Sequence, residues 1–229
     1  MGNMDRIKNH FDEEAMKYDV IIKNLIPYYH QMVEALVNSL PFSSSKEIEV
    51  IDLGCGTGTI SRAIKDSYQK AKLTCVDISE KMLKIASGKL SDASDTVFIH
   101  KNFYDFSFDK KYDAVVSSLA LHHLVTKQDK HEFYCKIYSC LNAGGIFINA
   151  DVVMGSTDDL QKRYMEQWKK YMCKNVTMDE VNNKWIPTYY EEDRPVSMME
   201  HLKMLQDTGF EVQDVIWKYY NYAVYMAVK

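Results

Sequence analysis

Val50-Ile51-Asp52-Leu53-Gly54-Cys55-Gly56-Thr57-Gly58 reads as a strand that runs into a glycine-rich turn. The run from Ile48 to Leu53 is short and mostly apolar, as a buried strand should be. Glycine at 54, 56 and 58 frees the backbone to take positive φ and lets a ligand approach where a Cβ would stand in the way. Thr59 to Gln69 then carries a helical pattern. In an open α/β sheet the ligand crevice lies at the carboxyl ends of the strands, where this turn falls.

The rhythm continues downstream. Leu73 to Val76 is predicted as a strand, and Ser79 as the N-cap of a helix reaching about Leu90. Thr96 to His100 and Tyr112 to Ser118 are predicted strands. Lys127 to Leu141 is predicted as a helix stopped by Asn142-Ala143-Gly144-Gly145, and Ile146 to Asp151 as the next strand. Alternating strands and helices imply parallel strands with right-handed crossovers. The expected class is α/β, a doubly wound, Rossmann-like sheet of seven mostly parallel strands with the last one antiparallel.

Around this core, residues 4–40 read as helical, broken at Pro27, and Pro41 with Ser43-Ser44-Ser45 reads as a linker. Residues 155–194 break the alternation as two helices and a loop dense in aromatics, among them Tyr164, Trp168, Trp185 and Tyr189. Pro195 is expected to begin a last helix that ends at Gly209, followed by a hairpin over 210–217 and 221–228. The chain is thus read as one domain: a helical cap (1–45), a core (46–151), an inserted lid (152–194) and a C-terminal helix with hairpin (195–229).

A second acid stands in register with the first. Thr74-Cys75-Val76-Asp77-Ile78-Ser79 puts Asp77 at the end of the second strand, 19 positions after Gly58. A carboxylate there can accept hydrogen bonds from both hydroxyls of a ribose, with Ile78 beside it. It could instead cap the helix that starts near Ser79. The glycine spacing is GxGxG, whereas a dinucleotide fingerprint wants GxGxxG and a phosphate loop wants Lys-Ser or Lys-Thr after its last glycine.

The acid two residues before the first glycine, the turn and Asp77 together resemble the class I S-adenosylmethionine-dependent methyltransferases. The resemblance runs motif by motif over residues 46–151. It implies that Asp52 orders the loop, with Gly54, Cys55, Gly56 and Gly58 forming it. It implies that Asn102 and the amide of Phe103 meet the adenine. It also implies that the segment Ser117-Ser118-Leu119-Ala120-Leu121-His122-His123-Leu124 passes the sulfonium end of the cofactor. Leu141-Asn142-Ala143-Gly144-Gly145 resembles the family's Leu-x-Pro-Gly-Gly turn, with Ala143 in place of the proline. The implied cofactor is S-adenosylmethionine and the implied product S-adenosylhomocysteine.

A finer resemblance links Ile26-Pro27-Tyr28-Tyr29, Gly209-Phe210 and Trp217 to the carboxy-S-adenosylmethionine synthases of tRNA wobble-uridine modification. It implies a cofactor contact for Tyr29. Those enzymes use an arginine some two dozen residues before the tail Gly-Phe to grip an extra carboxylate. This chain has Lys184-Trp185-Ile186-Pro187 there, which favours plain S-adenosylmethionine.

Methyl transfer from a sulfonium needs a nucleophile held in line, so proximity and orientation carry most of the rate. Tyr18 and Tyr29 could face the cationic cofactor through their rings. His122 and His123 are candidates for base work, and a packing role is the alternative for each. No ligand spacing in the sequence supports a metal site. The lid aromatics suit an apolar small-molecule acceptor, or simply pack on the core. A non-catalytic regulatory module would keep the cofactor loop beside an obstructed acceptor pocket.

Composition narrows the classes further. Hydrophobic residues make up 46% and charged residues 26% of 229, ordinary values for a globular chain. The charge is 28 − 32 = −4, which speaks against a broadly basic nucleic-acid surface. Apolar stretches are too short to span a bilayer, and the charged start does not read as a signal peptide. Five cysteines without a CxxC pair read as free thiols of a reducing cytoplasm. The tyrosine-rich ends could form an interface between two copies.

Overall fold

A computed structural model describes residues 3–229 of the chain. The N-terminal segment folds as α1 (Asn3–Glu14), a tight turn at Ala15–Lys17, α2 (Tyr18–Leu25) and α3 (Tyr29–Asn38). Pro27 ends α2 as expected, because a proline cannot donate the helical hydrogen bond. The core follows as β1 (Ile48–Leu53), α4 (Thr59–Ser67), β2 (Ala71–Asp77), α5 (Glu80–Lys89), β3 (Thr96–His100), β4 (Tyr112–Ser118), α6 (Lys127–Cys140) and β5 (Leu141–Val152). The lid holds α7 (Asp158–Met172), a single turn α8 (Met178–Glu180), a wide π-helical turn at Val181–Trp185, and α9 (Ile186–Glu192). The chain closes with α10 (Met198–Thr208), β6 (Val212–Tyr219) and β7 (Tyr222–Val228).

The seven strands form one sheet in the order β3-β2-β1-β4-β5-β7-β6. All pairings from β3 to β5 are parallel, whereas β7 lies antiparallel to both β5 and β6. The sheet class read from the sequence is therefore correct, including the reversed last strand. The order turns around at β1 and β4, so the carboxyl ends of these two neighbours open a crevice.

Alternate residues of β1 feed opposite faces. Val50 joins a core with Met32, Leu36 and Ile64, while Ile51 and Leu53 join Phe133, Ile137 and Leu205. Both faces of the parallel strands are thereby dry, which is why Val50-Ile51 of β1 and Ala114-Val115-Val116 of β4 are apolar runs with no alternation. Capping fixes the helix starts. Ser79, Thr126, Thr177 and Ser197 each accept a backbone amide of their helix, and the last three form reciprocal boxes with Asp129, Glu180 and Glu200.

Several boundaries differ from the sequence reading. α4 stops at Ser67 rather than Gln69, and β2 is longer at both ends than Leu73–Val76. β5 begins at Leu141, not Ile146, because Leu141 pairs with Tyr112 before an irregularity in the β4 register. α10 begins after Ser197 rather than at Pro195, since the Ser197–Glu200 box supplies the cap.

Gly54 shows why this fold needs a glycine at the turn. Its φ is 73°, and a Cβ there would lie 2.3 Å from the Cβ of Ala120. Gly58 is similar, with φ 78° and a Cβ position 3.0 Å from that of Ala86. Gly54→Ala is expected to cost about 2 kcal/mol or more through left-handed strain and overpacking. A thermal melt checks this, and an unchanged midpoint would contradict it.

Candidate active site

The turn after β1 is tied down from below. The amides of Gly54 and Cys55 both donate to the Val76 carbonyl, at 2.8 and 3.0 Å. Asp77 closes β2 and its two carboxylate oxygens accept from the amides of Gly56 and Ser79, each at 2.8 Å. Burial pushes the Asp77 carboxyl up to about 6, with these amides acting against the shift. Each oxygen keeps a further lone pair for an outside donor. Asp77 thus both clasps the turn and stands ready to bind.

Asp52 lies lower, fully buried beneath the turn. Its Oδ2 accepts from Ser61 at 2.6 Å, whereas Oδ1 has no protein partner. Burial raises it to about 7, and the neighbouring Asp77 adds to the shift.

Two chambers open at the crevice. The first is lined by Gly54, Gly56, Asp77, Ile78, Asn102, Phe103 and Ser118, with Met82 and Lys101 also among its walls. The second lies between α1, α2, the lid and β7, with Trp168, Trp185, Tyr189 and Tyr222 among its walls. Phe11, Tyr18, Leu119 and His123 line both. That shared wall is where two bound molecules would meet.

Local contacts hold the wall in place. Tyr18 stands 6.0 Å from Phe11 in an edge-on ring contact, and Phe11 meets His123 likewise at 5.7 Å. Burial raises the Tyr18 hydroxyl far above its usual value, so it stays protonated. Leu119 takes a left-handed φ of 52°, an uncommon conformation for leucine, and donates its amide to Ala150 at 2.8 Å. The cap helices are seated by Ser79 donating to Asp12 at 2.6 Å and by Lys89 bridging to Asp19 at 2.8 Å.

The residues expected from the sequence divide into two sets. Gly54, Gly56, Asp77, Ile78, Asn102, Phe103, Ser118, Tyr18 and His123 come together around the first chamber, and His122 lines the second. Tyr29, Asp52, Cys55 and Gly58 line neither. Tyr29 instead faces a groove with Asp19, Thr59 and Lys89. Cys55 is buried under the turn, and Gly58 serves the close approach of α4 to α5. The Asn102 side-chain oxygen already accepts the amides of Tyr104 and Asp105, so it braces its own turn.

His122 and His123 occupy a tight turn at Leu121–His123. The His122 Nδ1 lies 2.5 Å from Asp151, and its Nε2 lies 3.3 Å from Asp193. Burial opposes a charge on the ring, but the two carboxylates outweigh it and hold His122 at about 10. Burial and the neighbouring His122 charge push His123 down to about 3. His123 Nε2 is buried without a protein partner. Lys130 supports the turn from behind, donating to the carbonyls of Leu121, His122 and Leu124 at 3.2, 3.3 and 2.5 Å. Sequence reasoning missed Phe11, Lys130, Asp151 and Asp193. Only Lys130 left a trace, as one lysine at an apolar position of α6.

A methyltransferase-domain family model matches residues 50–145. The carboxy-S-adenosyl-L-methionine synthase of Campylobacter hominis is 31% identical over 222 residues, covering 96% of this chain and 94% of that protein. The chain belongs to the class I S-adenosylmethionine-dependent methyltransferases. The corresponding synthase of Campylobacter lari is 26% identical and covers 94% of this methyltransferase and 92% of its own length. The fold also matches the DhpI–SAH complex, with a TM-score of 0.67 at 17% identity, covering 99% of this methyltransferase and 96% of DhpI.

The protein is an enzyme of S-adenosylmethionine, and its own residues fit that cofactor. Asp77 has spare acceptor capacity for the ribose, Gly54 and Gly56 leave the chamber free of side chains at the turn, and Asp52 retains an unpartnered oxygen beneath it. The carboxylate must be ionised to hold the ribose hydroxyls. Asp77→Ala is expected to weaken S-adenosylhomocysteine binding at least tenfold by calorimetry. In the intact enzyme, affinity should fall as the pH drops below about 6, where Asp77 takes up its proton. Binding that is indifferent to both changes would contradict this assignment.

Proposed function

We propose that this methyltransferase moves a methyl group from S-adenosylmethionine onto a small molecule held in the second chamber. The observation that carries this reading is the shared wall of Phe11, Tyr18, Leu119 and His123. Each chamber has its own lining, and the wall is the one place where they touch. A second chamber walled by tryptophan and tyrosine has the apolar, aromatic character of a small-molecule site.

The cofactor supplies the electrophilic methyl on sulfur. The chain's part is to hold both partners and keep water out. Asp77 and the glycine turn fix the adenosyl half. Tyr18 and Phe11 turn aromatic rings to the junction, where a ring face favours positive charge. His123 is neutral at physiological pH and offers a nitrogen without a protein partner at the junction. The lid closes the far side, with Trp168 donating to the Leu25 carbonyl at 2.8 Å and His10 joining Glu192 at 2.6 Å. The five free thiols suit a cytoplasmic setting.

A second reading is carboxy-S-adenosylmethionine synthesis or use, supported by the near full-length similarity to such synthases. Against it, no lysine or arginine among the described residues lines the second chamber, and Trp185 occupies it from the lid. An extra carboxylate would find no guanidinium there.

Incubation with methyl-labelled S-adenosylmethionine and a fractionated cell extract tests the first reading. Label is expected in the small-molecule fraction. Label confined to protein or nucleic acid would contradict it. Mass spectrometry of ligand released from the purified protein separates the two readings: S-adenosylmethionine or its demethylated product is expected, and carboxy-S-adenosylmethionine would favour the second.

A further inference from the structure

We propose that His122, His123 and Asp193 bind a divalent transition-metal ion of the zinc class at the floor of the second chamber. The two imidazoles and the carboxylate come from segments 70 residues apart, yet one ligand atom from each lies within 4.8 Å of the others. Asp193 Oδ1 is 3.3 Å from His122 Nε2 and 3.6 Å from His123 Nδ1. Ligands about 2.0–2.2 Å from a tetrahedral zinc stand about 3.3–3.5 Å from each other, so these two separations need little adjustment, and the imidazoles close to within 4.8 Å of each other.

Two independent features point to a ligand. Metal-bound histidines commonly give their other ring nitrogen to a carboxylate, which fixes the ring and raises its donor strength. His122 has this arrangement, with Nδ1 against the buried Asp151 at 2.5 Å and Nε2 turned to Asp193; the ion takes the place of the Nε2 proton, which is released to solvent. In addition, the His123 ring is 6% exposed and its Nε2 has no protein partner, while its Nδ1 faces Asp193 at 3.6 Å and the Glu192 carbonyl at 3.4 Å. The basic groups nearby do not fill the slot. Lys130 and the Arg194 amide both bind carbonyls of the turn, and the Arg194 guanidinium binds carbonyls of the lid.

Three protein ligands leave a fourth position, and all three of these residues line the second chamber. An ion there draws a hydroxyl or thiol of the acceptor toward the shared wall and lowers the pH at which it loses its proton. This role rests on the acceptor reading above, whereas the site itself does not.

The test uses the full-length protein with any affinity tag removed, stripped with chelator and titrated with cobalt(II) or zinc(II). About one ion per chain is expected after gel filtration, and cobalt should give the visible ligand-field bands of a four-coordinate site. Asp193→Asn and His123→Gln should each weaken binding at least tenfold, and Asp151→Asn about 10–100-fold through the outer contact. His30→Gln, remote from the cluster, should bind as the parent does. Circular dichroism confirms that each variant is folded, and S-adenosylhomocysteine binding confirms it again for Asp193→Asn, Asp151→Asn and His30→Gln. The cobalt spectrum of the parent needs no variant. The proposal is overturned if the parent gives no such spectrum, if only an adventitious surface ion is held, or if the ion binds Asp193→Asn as tightly. Those outcomes would mean that His122 is simply an imidazolium strung between two carboxylates. Cofactor binding and labelled transfer are measured separately, so loss of the metal site leaves the methyltransferase reading standing.

Discussion

Everything in the site depends on one buried carboxylate that closes two turns at once. Asp77 takes the amides of Gly56 and Ser79, and so joins the bend after β1 to the start of α5. A charge this deep is costly, and only fixed donors offset the cost. The donors are fixed because β1 and β2 run parallel in tight register, Leu53 opposite Val76, with two amides of the bend anchored on the Val76 carbonyl. The same anion has acceptor capacity left over, and it points into the first chamber. A structural need and a binding need are met by the same atoms.

The second chamber is built on another principle. Its parts come from α1, the turn after β4, the end of β5, and the lid. Paired charges join them: His10 to Glu14 and Glu192, Lys184 to Glu14, and His122 to Asp151 and Asp193. Pairing lets His122, Asp151 and Glu192 stay buried, since a lone charge in such a place would be neutralised instead. Cap and lid are therefore fastened to the core by the residues that shape the chamber.

Legibility in the sequence follows from this division. The cofactor half could be read because its signals are local. A glycine turn, a strand-end acid and a helix cap each declare themselves within a few residues, as Gly54, Asp77 and Ser79 do. The doubly wound class, with its reversed last strand, followed from alternation and from the hairpin before Val228, whereas the strand order is a finding of the structure. The acceptor half could not be read in the same way. Asp193 sits in an acidic run that looks like a solvated loop, and nothing in the sequence says that it meets His122. Tyr29 carried the family-like pattern, but the left-handed Tyr28 before α3 turns it toward Asp19 and Lys89, while Tyr18 lines the chamber. Asn102 lines the first chamber while its side-chain oxygen braces its own turn, a use of asparagine common in loops. Leu119 adopts its strained backbone with no residue-type signal at all.

The most direct measurement is a crystal structure of the protein grown with S-adenosylhomocysteine. The account expects the ribose hydroxyls on Asp77, the adenine beside Ile78 and Phe103, and the sulfur facing the wall of Phe11, Tyr18, Leu119 and His123. Ligand density away from Asp77, or a sulfur turned from that wall, would contradict it.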